Sequence, residues 1–275
     1  MSTHRQFSEA TDPGLVQALE ANINAQIALM YADMPGVETL AEPGLLGMIT
    51  ELPDPTLNAV YQATFPPEPA EVQRSVAQVL DRYRSRGCLP MTWFVTSSTQ
   101  PADLGRYLEA QRLVHIGRTL GMAADLWAVE EQPPPAGLVI EQVGDEQQLR
   151  QWLHPVTVGF ELDPAVASAF FALFAGRGFG PDAPWRLFVG LLEGQPVASA
   201  RLFCTAGVAG VYHVAVVLQA RGRGVGSAVT LATMRAARAL GYRVGVLVSS
   251  SEGYGVYHRL GFRECCHADA YRWPG

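Results

Sequence analysis

Apolar side chains at Val16, Leu19, Ile23, Ile27 and Met30 recur every three or four residues, which predicts an amphipathic helix over Leu15–Tyr31. Asp12-Pro13 supplies its cap and first turn. Further on, runs rich in apolar residues predict strands over 45–52, 57–65 and 91–96, interleaved with helical periods over about 70–86 and 102–111. Two more strand-like runs, 113–116 and 122–129, close this half. Glu130 through Gly137, with its three consecutive prolines, carries neither period and reads as a stiff linker.

After the linker the alternation resumes. A strand over 138–143 leads into helical periods around 146–153 and 164–175, followed by strands Trp185–Leu192, 197–204 and 211–217. An Arg/Gly loop then opens into a helix over 228–240, rich in Ala, Leu, Met and Arg and stopped by Gly241. A strand at 243–248, a short helical stretch containing Tyr257 and a final strand Arg263–Trp273 follow. Strands alternating with helices throughout predict an α/β (α+β) protein. The linker divides it into residues 1–130 and 138–275, with 131–137 between them.

Composition narrows this picture. A length of 275 residues accommodates two domains, each with its own core. With 48% hydrophobic residues, 17% charged residues and a net charge of −6, the chain reads as a soluble globular protein. Its acidic balance and lack of a long basic run argue against a nucleic-acid partner, although all 20 basic residues are Arg. No run reaches the roughly 18 apolar residues of a membrane span, and Met1 through Asp12 is polar, with no signal peptide visible. A cytoplasmic monomer or homodimer without membrane attachment is expected. Cys88, Cys204, Cys265 and Cys266 have neither metal-ligand spacing nor the density of a disulfide scaffold, so no metal is expected. Adjacent Cys265 and Cys266 are expected as buried free thiols in the last strand.

The candidate chemistry lies where the strand over 211–217 meets the next helix. A helix start leaves backbone N–H groups without partners and carries partial positive charge. Gly222, Gly224 and Gly226 allow a ligand close to the backbone, and Arg221 and Arg223 add fixed positive charge, so a pyrophosphate fits. The nucleoside-triphosphate P-loop is excluded, because Ser227-Ala228 stand where Lys-Ser/Thr is required. The dinucleotide fingerprint is excluded too, since the glycines are spaced G-x-G-x-G.

This segment resembles the acyl-CoA signature of the GNAT N-acetyltransferase superfamily, R/Q-x-x-G-x-G/A, with Arg221, Gly224 and Gly226 on its fixed positions. The upstream aliphatic-x-Val-x-Pro pattern falls on Val214, Val216 and Leu218, with Leu in place of Pro. A second family motif matches downstream, with Tyr257 on its tyrosine and Gly261-Phe262 on its Gly-Phe. The resemblance implies acyl-CoA N-acyltransferase-like domains, each a mixed, mostly antiparallel sheet flanked by helices, with acetyl-CoA as co-substrate. It implies that backbone at Val216, Val217 and Leu218 pairs with the pantetheine arm. Arg221, Gly222, Arg223, Gly224, Val225, Gly226 and Ser227 would then hold the pyrophosphate, with Ser250 beyond the next strand. Tyr257 would protonate the departing thiolate as general acid. The implied reaction is direct attack by a primary amine of a small molecule or peptide, and the alternative is a non-catalytic acyl-CoA-binding or sensor module.

The general base is less visible. Family members that carry one on this strand place it at the positions of Gly210 and Tyr212, and neither suits the role. Strand alternation turns His213 to the opposite face from Tyr212 and Val214, which predicts a satisfied core or interface histidine. Glu161, Asp163 and Asp182 fall in segments that border the acceptor cleft in this family. Phe160, Phe170, Phe171, Phe174 and Phe179 are expected mostly in the core, with some lining that cleft.

The N-terminal half reads as a degenerate copy. Val95-Thr96-Ser97-Ser98 ahead of Tyr107 through Leu113 parallels Val248 through Ser251 ahead of Val256 through Phe262, and Leu108 then stands where Tyr257 does. Its glycine loop is replaced by Pro66-Pro67-Glu68-Pro69-Ala70-Glu71, where prolines lack N–H donors and carboxylates repel phosphate. Residues 1–130 are therefore expected to form a GNAT-like domain without a cofactor site.

Overall fold

The computed structural model describes residues 12, 14–32, 34, 36–52, 54–87 and 90–273. They form two compact units that interleave along the chain. One, the C-terminal unit, comprises Gly121–Cys265 with the described residues before Asn24; the other, the N-terminal unit, comprises Asn24–Leu120 with the described residues after Cys265. The first helix, α1 (Leu15–Tyr31), keeps its predicted ends, and Asp12 Oδ1 accepts from Gly14 N at 3.0 Å ahead of it. Pro13 and Cys88 lie outside the described residues.

The N-terminal unit contains β1 (Glu38–Glu42), β2 (Leu45–Ile49), β3 (Ala59–Ala63), α2 (Pro69–Ser85), β4 (Met91–Val95), α3 (Leu104–Ala110) and the first part of β5 (Val114–Asp125). Strands β1, β2 and β3 are antiparallel neighbours, whereas β3 and β4 are parallel at Ala59↔Thr92 and Val60↔Trp93. The last residues of β11 (Arg263–Trp273) complete the sheet, antiparallel to β4 from Asp269↔Val95 to Trp273↔Met91. Helix α2 buries Val72, Val76, Val79, Leu80 and Tyr83, a stripe at helical spacing, over a core that includes Val60, Trp93, Leu104 and Leu108.

The C-terminal unit contains β6 (Leu138–Gln142), α4 (Glu146–Gly159), α5 (Pro164–Arg177), β7 (Trp185–Leu192), β8 (Gln195–Thr205), β9 (Val208–Val216), α6 (Val225–Ala239), β10 (Val244–Ser249) and α7 (Ser251–Arg259). Its strand order is β5-β10-β9-β8-β7-β6, antiparallel from β6 to β9 and parallel between β9 and β10. Buried Asn22 of α1 belongs to this unit: its amide donates to Phe203 O, Thr205 O and Val208 O at 3.2–3.4 Å, holding the ends of β8 and β9.

Several elements depart from the pattern-based reading. Strand β1 carries one buried side chain, Leu40, and so has no apolar signature. The runs 113–116 and 122–129 are one strand, β5, because the polar stretch between them stays extended: Arg118 pairs with Asp269 and Thr119 Oγ1 reaches Ala268 O. Helix α4 continues through Pro155 to Gly159, and α6 starts at Val225 rather than at 228 because Gly224 adopts the left-handed N-cap conformation. Cys204, Cys265 and Cys266 are half-buried rather than buried. Among the described residues, no helix is long and apolar enough to cross a membrane.

Candidate active site

Strands β9 and β10 pair at Gly245↔Ala209 and Val246↔Gly210, and beyond that register β9 runs on to Val216. A cleft of ≈ 580 Å³ opens there. Its floor is Val214, Ala215 and Val216; the loop Arg221, Gly222, Gly224 and the first turn of α6, Val225, Gly226 and Ser227, form one wall. Ser250, Ser251, Glu252, Gly253, Val256, Tyr257 and Arg259 of α7 and its N-cap form another, and Gly159 with Phe160 closes the end of α4. Val217, Leu218 and Arg223 are not among the lining residues. The Val217 N–H is engaged by Val197 O at 3.0 Å, while Leu218 and Arg223 point to solvent.

Two helix starts therefore face one space. The N-cap of α6 is Gly224, with φ 78°, so no side chain caps the first-turn N–H groups. At α7, Ser250 Oγ accepts from Gly253 N at 3.2 Å. Both starts contribute partial positive charge to the same cleft. Arg221 bridges its lips: Nε donates to Val216 O at 3.1 Å, and Nη1 lies 3.5 Å from Glu252 Oε2. Arg259, which sequence reasoning missed, brings a second guanidinium from the far end of α7. Its signal was available as a position two residues after Tyr257 on the same short helix.

Tyr257 is 9% exposed, its ring edge-on to buried Phe262 at 6.0 Å between centroids. Burial pushes its phenol up to about 12, because the charged form would lose its water. The positions considered for a base are closed. A Cβ at Gly210 would stand 2.3 Å from Asn22 Oδ1, which also accepts from the Tyr212 hydroxyl at 2.5 Å. Burial raises the Tyr212 phenol well above its usual value, against a smaller opposing effect of Arg201.

His213 sits in a bulge, with φ 48°, where the register jumps from Ser199↔Ala215 to Arg201↔Tyr212. Its ring packs among Trp152, Phe160, Phe170 and Phe174 at 5.7–6.2 Å, and it does not line the cleft. The core location agrees with expectation, but hydrogen bonding does not: Nδ1 is buried without a partner among the described residues. Burial, then the Arg201 charge, depress its basicity well below the ordinary imidazole value and keep it neutral. Of the aromatic stretch, Phe170 and Phe174 are core, Phe171 stacks under Arg150, and Phe160 is exposed at the cleft. Glu161, Asp163 and Asp182 do not line the cleft, and Asp163 caps α5 by accepting from Ala165 N.

The linker is docked rather than free. Glu131 receives Arg235 and Arg238 of α6, which holds its carboxyl below the usual carboxylate range, and Pro135 Cγ comes within 3.5 Å of the Cβ position at Gly224. Among the described residues, no group of three or more His, Cys, Asp or Glu side chains is arranged to hold a metal ion.

Residues 183–264, which span β7 to the start of β11, match the family model described as an acetyltransferase (GNAT) domain. Over that stretch the chain is similar to an acetyltransferase domain of the GNAT type. Its fold is that of GCN5-related N-acetyltransferases over nearly its whole length. A GCN5-related N-acetyltransferase from Kribbella flavida superposes with a TM-score of 0.71 at 18% identity, over 94% of this chain and 96% of that one. Another, from Sphaerobacter thermophilus, gives 0.65 at 17% identity over 96% and 94%. A tandem GNAT protein from the clavulanic acid biosynthesis pathway gives 0.62 at 14% identity over 96% of both chains. No curated protein sequence matches the chain significantly.

Proposed function

We propose that this protein is an N-acetyltransferase that moves the acetyl group of acetyl-CoA to a primary amine of a small molecule or peptide. The observation that carries the reading is the convergence of the β9 terminus, two helix starts and Arg221 on one cleft, with Tyr257 in its wall. Uncapped N–H groups at α6, with Arg221 and Arg259, suit the pyrophosphate and phosphate of acyl-CoA. Val214 through Val216 offer an apolar backbone edge for the pantetheine arm. In the transfer, the amine nitrogen bonds to the thioester carbonyl carbon and the C–S bond breaks. Tyr257 gives its hydroxyl proton to the departing sulfur, the nitrogen releases its surplus proton to water, and solvent reprotonates Tyr257. A neutral amine needs no side-chain base, which agrees with a cleft in which Gly210, Tyr212 and His213 cannot serve.

On this reading residues 138–275 contain the cofactor site, and residues 1–130 are a degenerate copy without one. Gln100 N donates to Ala63 O at 3.0 Å and Gln100 O accepts from Phe65 N at 2.9 Å, so the segment after β4 is joined to the end of β3. An acyl-CoA co-substrate suits a cytoplasmic setting.

Thiol release from acetyl-CoA, measured with a pooled panel of small amines and peptides, tests the proposal. Amine-dependent release is expected. Tight acetyl-CoA binding by calorimetry with no release under any amine would favour the non-catalytic acyl-CoA-binding module instead.

A further inference from the structure

Two of the nine residues of α7 are glycine, Gly253 and Gly255, although Ser250 caps the helix well. Apart from proline, no residue favours a helix less. Neither glycine has the positive φ that would require one. Each stands four residues before a side chain that lines the cleft: Gly253 before Tyr257, and Gly255 before Arg259. Helical side chains lean toward the N-terminus, so residue i+4 lies over residue i. A Cβ at Gly253 would stand 2.8 Å from Tyr257 Cε2 and 3.5 Å from its Cδ2. At Gly255 it would stand 3.3 Å from Arg259 Nη1. The Tyr257 ring has little room to retreat, because fully buried Phe262 meets it edge-on.

We propose that Gly253 is a positioning residue, which seats the Tyr257 hydroxyl on the acyl-CoA cleft. A methyl group at 253 forces the phenol ring out of its present seat. A methyl group at 255 asks only a small shift of the tip of exposed Arg259. The inference rests on the acyl-CoA reading of the cleft and on Tyr257 as proton donor, and the test separates the two.

The full chain is compared with Gly253→Ala, Tyr257→Phe and their double variant, by kcat and by acetyl-CoA Kd. Alanine favours a helix over glycine by about 1 kcal/mol, which offsets part of the cost of crowding the ring, and thermal melting confirms that the variant is folded at the assay temperature. Gly253→Ala should lower kcat about 10²-fold, the scale of a misplaced catalytic group, with acetyl-CoA affinity nearly unchanged. It should lower kcat no further in the Tyr257→Phe background. Unchanged kcat in Gly253→Ala alongside a low kcat in Tyr257→Phe overturns the inference, and so does full additivity of the pair. If Tyr257→Phe itself leaves kcat intact, the proton-donor reading falls and the seating is judged on the ring. The fluorine resonance of 3-fluorotyrosine at 257 must then shift in Gly253→Ala, and an unshifted resonance overturns it.

Discussion

Burial decides what Tyr257 can do with its proton. Desolvation raises the phenol to about 12, which keeps the hydroxyl protonated across the neutral range. A raised value means the donor is lost only as pH climbs through about 12, so any alkaline limb of kcat due to Tyr257 should fall there rather than near the ordinary tyrosine value of about 10. Tyr257→Phe should reduce kcat by about 10²–10⁴-fold with acetyl-CoA Kd unchanged, and should abolish that limb. Equal kcat in the variant would make the tyrosine a packing residue. Gly224 is constrained by its backbone, since φ 78° costs an L-residue about 1–2 kcal/mol and its Cβ direction is otherwise open except toward Pro135. Gly224→Glu adds strain and a negative charge where a pyrophosphate is expected, so calorimetry should detect no acetyl-CoA binding.

At the scale of elements, the two arms of the cleft differ in how readable they were. The loop from Arg221 to Ser227 announces itself, because glycines at alternate positions ahead of a helix serve few purposes besides seating an anion. Strands with two-sided burial, such as Trp185–Leu192, show near-continuous apolar runs and kept their predicted ends. Strand β1 and the middle of β5 were illegible, since hydrogen bonding to neighbours holds them extended while their side chains stay polar. Part of what α4 and α7 contribute was hidden by a different cause. Gly159, Gly253 and Arg259 reach the cleft through tertiary placement, and a pattern read along the chain carries no such information. The N-terminal copy gives the element-scale prediction. With Gln100 bridging β3 to the segment after β4, and α2 opening on Pro69, acetyl-CoA titration should saturate at one ligand per chain. Two equivalents would refute an N-terminal copy without a site.

For the whole molecule, interleaving matters more than the linker. The C-terminal unit draws its strand beside β10 from β5, where Leu126 N donates to Arg243 O at 2.7 Å, and it draws Asn22 from α1. A fragment of residues 138–275 therefore lacks a sheet strand and leaves the carbonyls of Phe203, Thr205 and Val208 without their buried donor, at about 1–3 kcal/mol for each unsatisfied group. It should be insoluble or lack cooperative melting when expressed alone, whereas a soluble fragment with normal acetyl-CoA affinity would show that the borrowed pieces are dispensable. The pairing of β4 with β11 has a consequence in time. Val95 leaves the ribosome long before Asp269, its partner about 170 residues later, is made. At roughly 5–20 residues per second, the open edge of β4 waits about 10–35 s for its neighbour during synthesis. Until translation ends, the first half of the nascent chain presents Met91 through Val95 as an unpaired sticky strand, a stage at which a chaperone has something to hold.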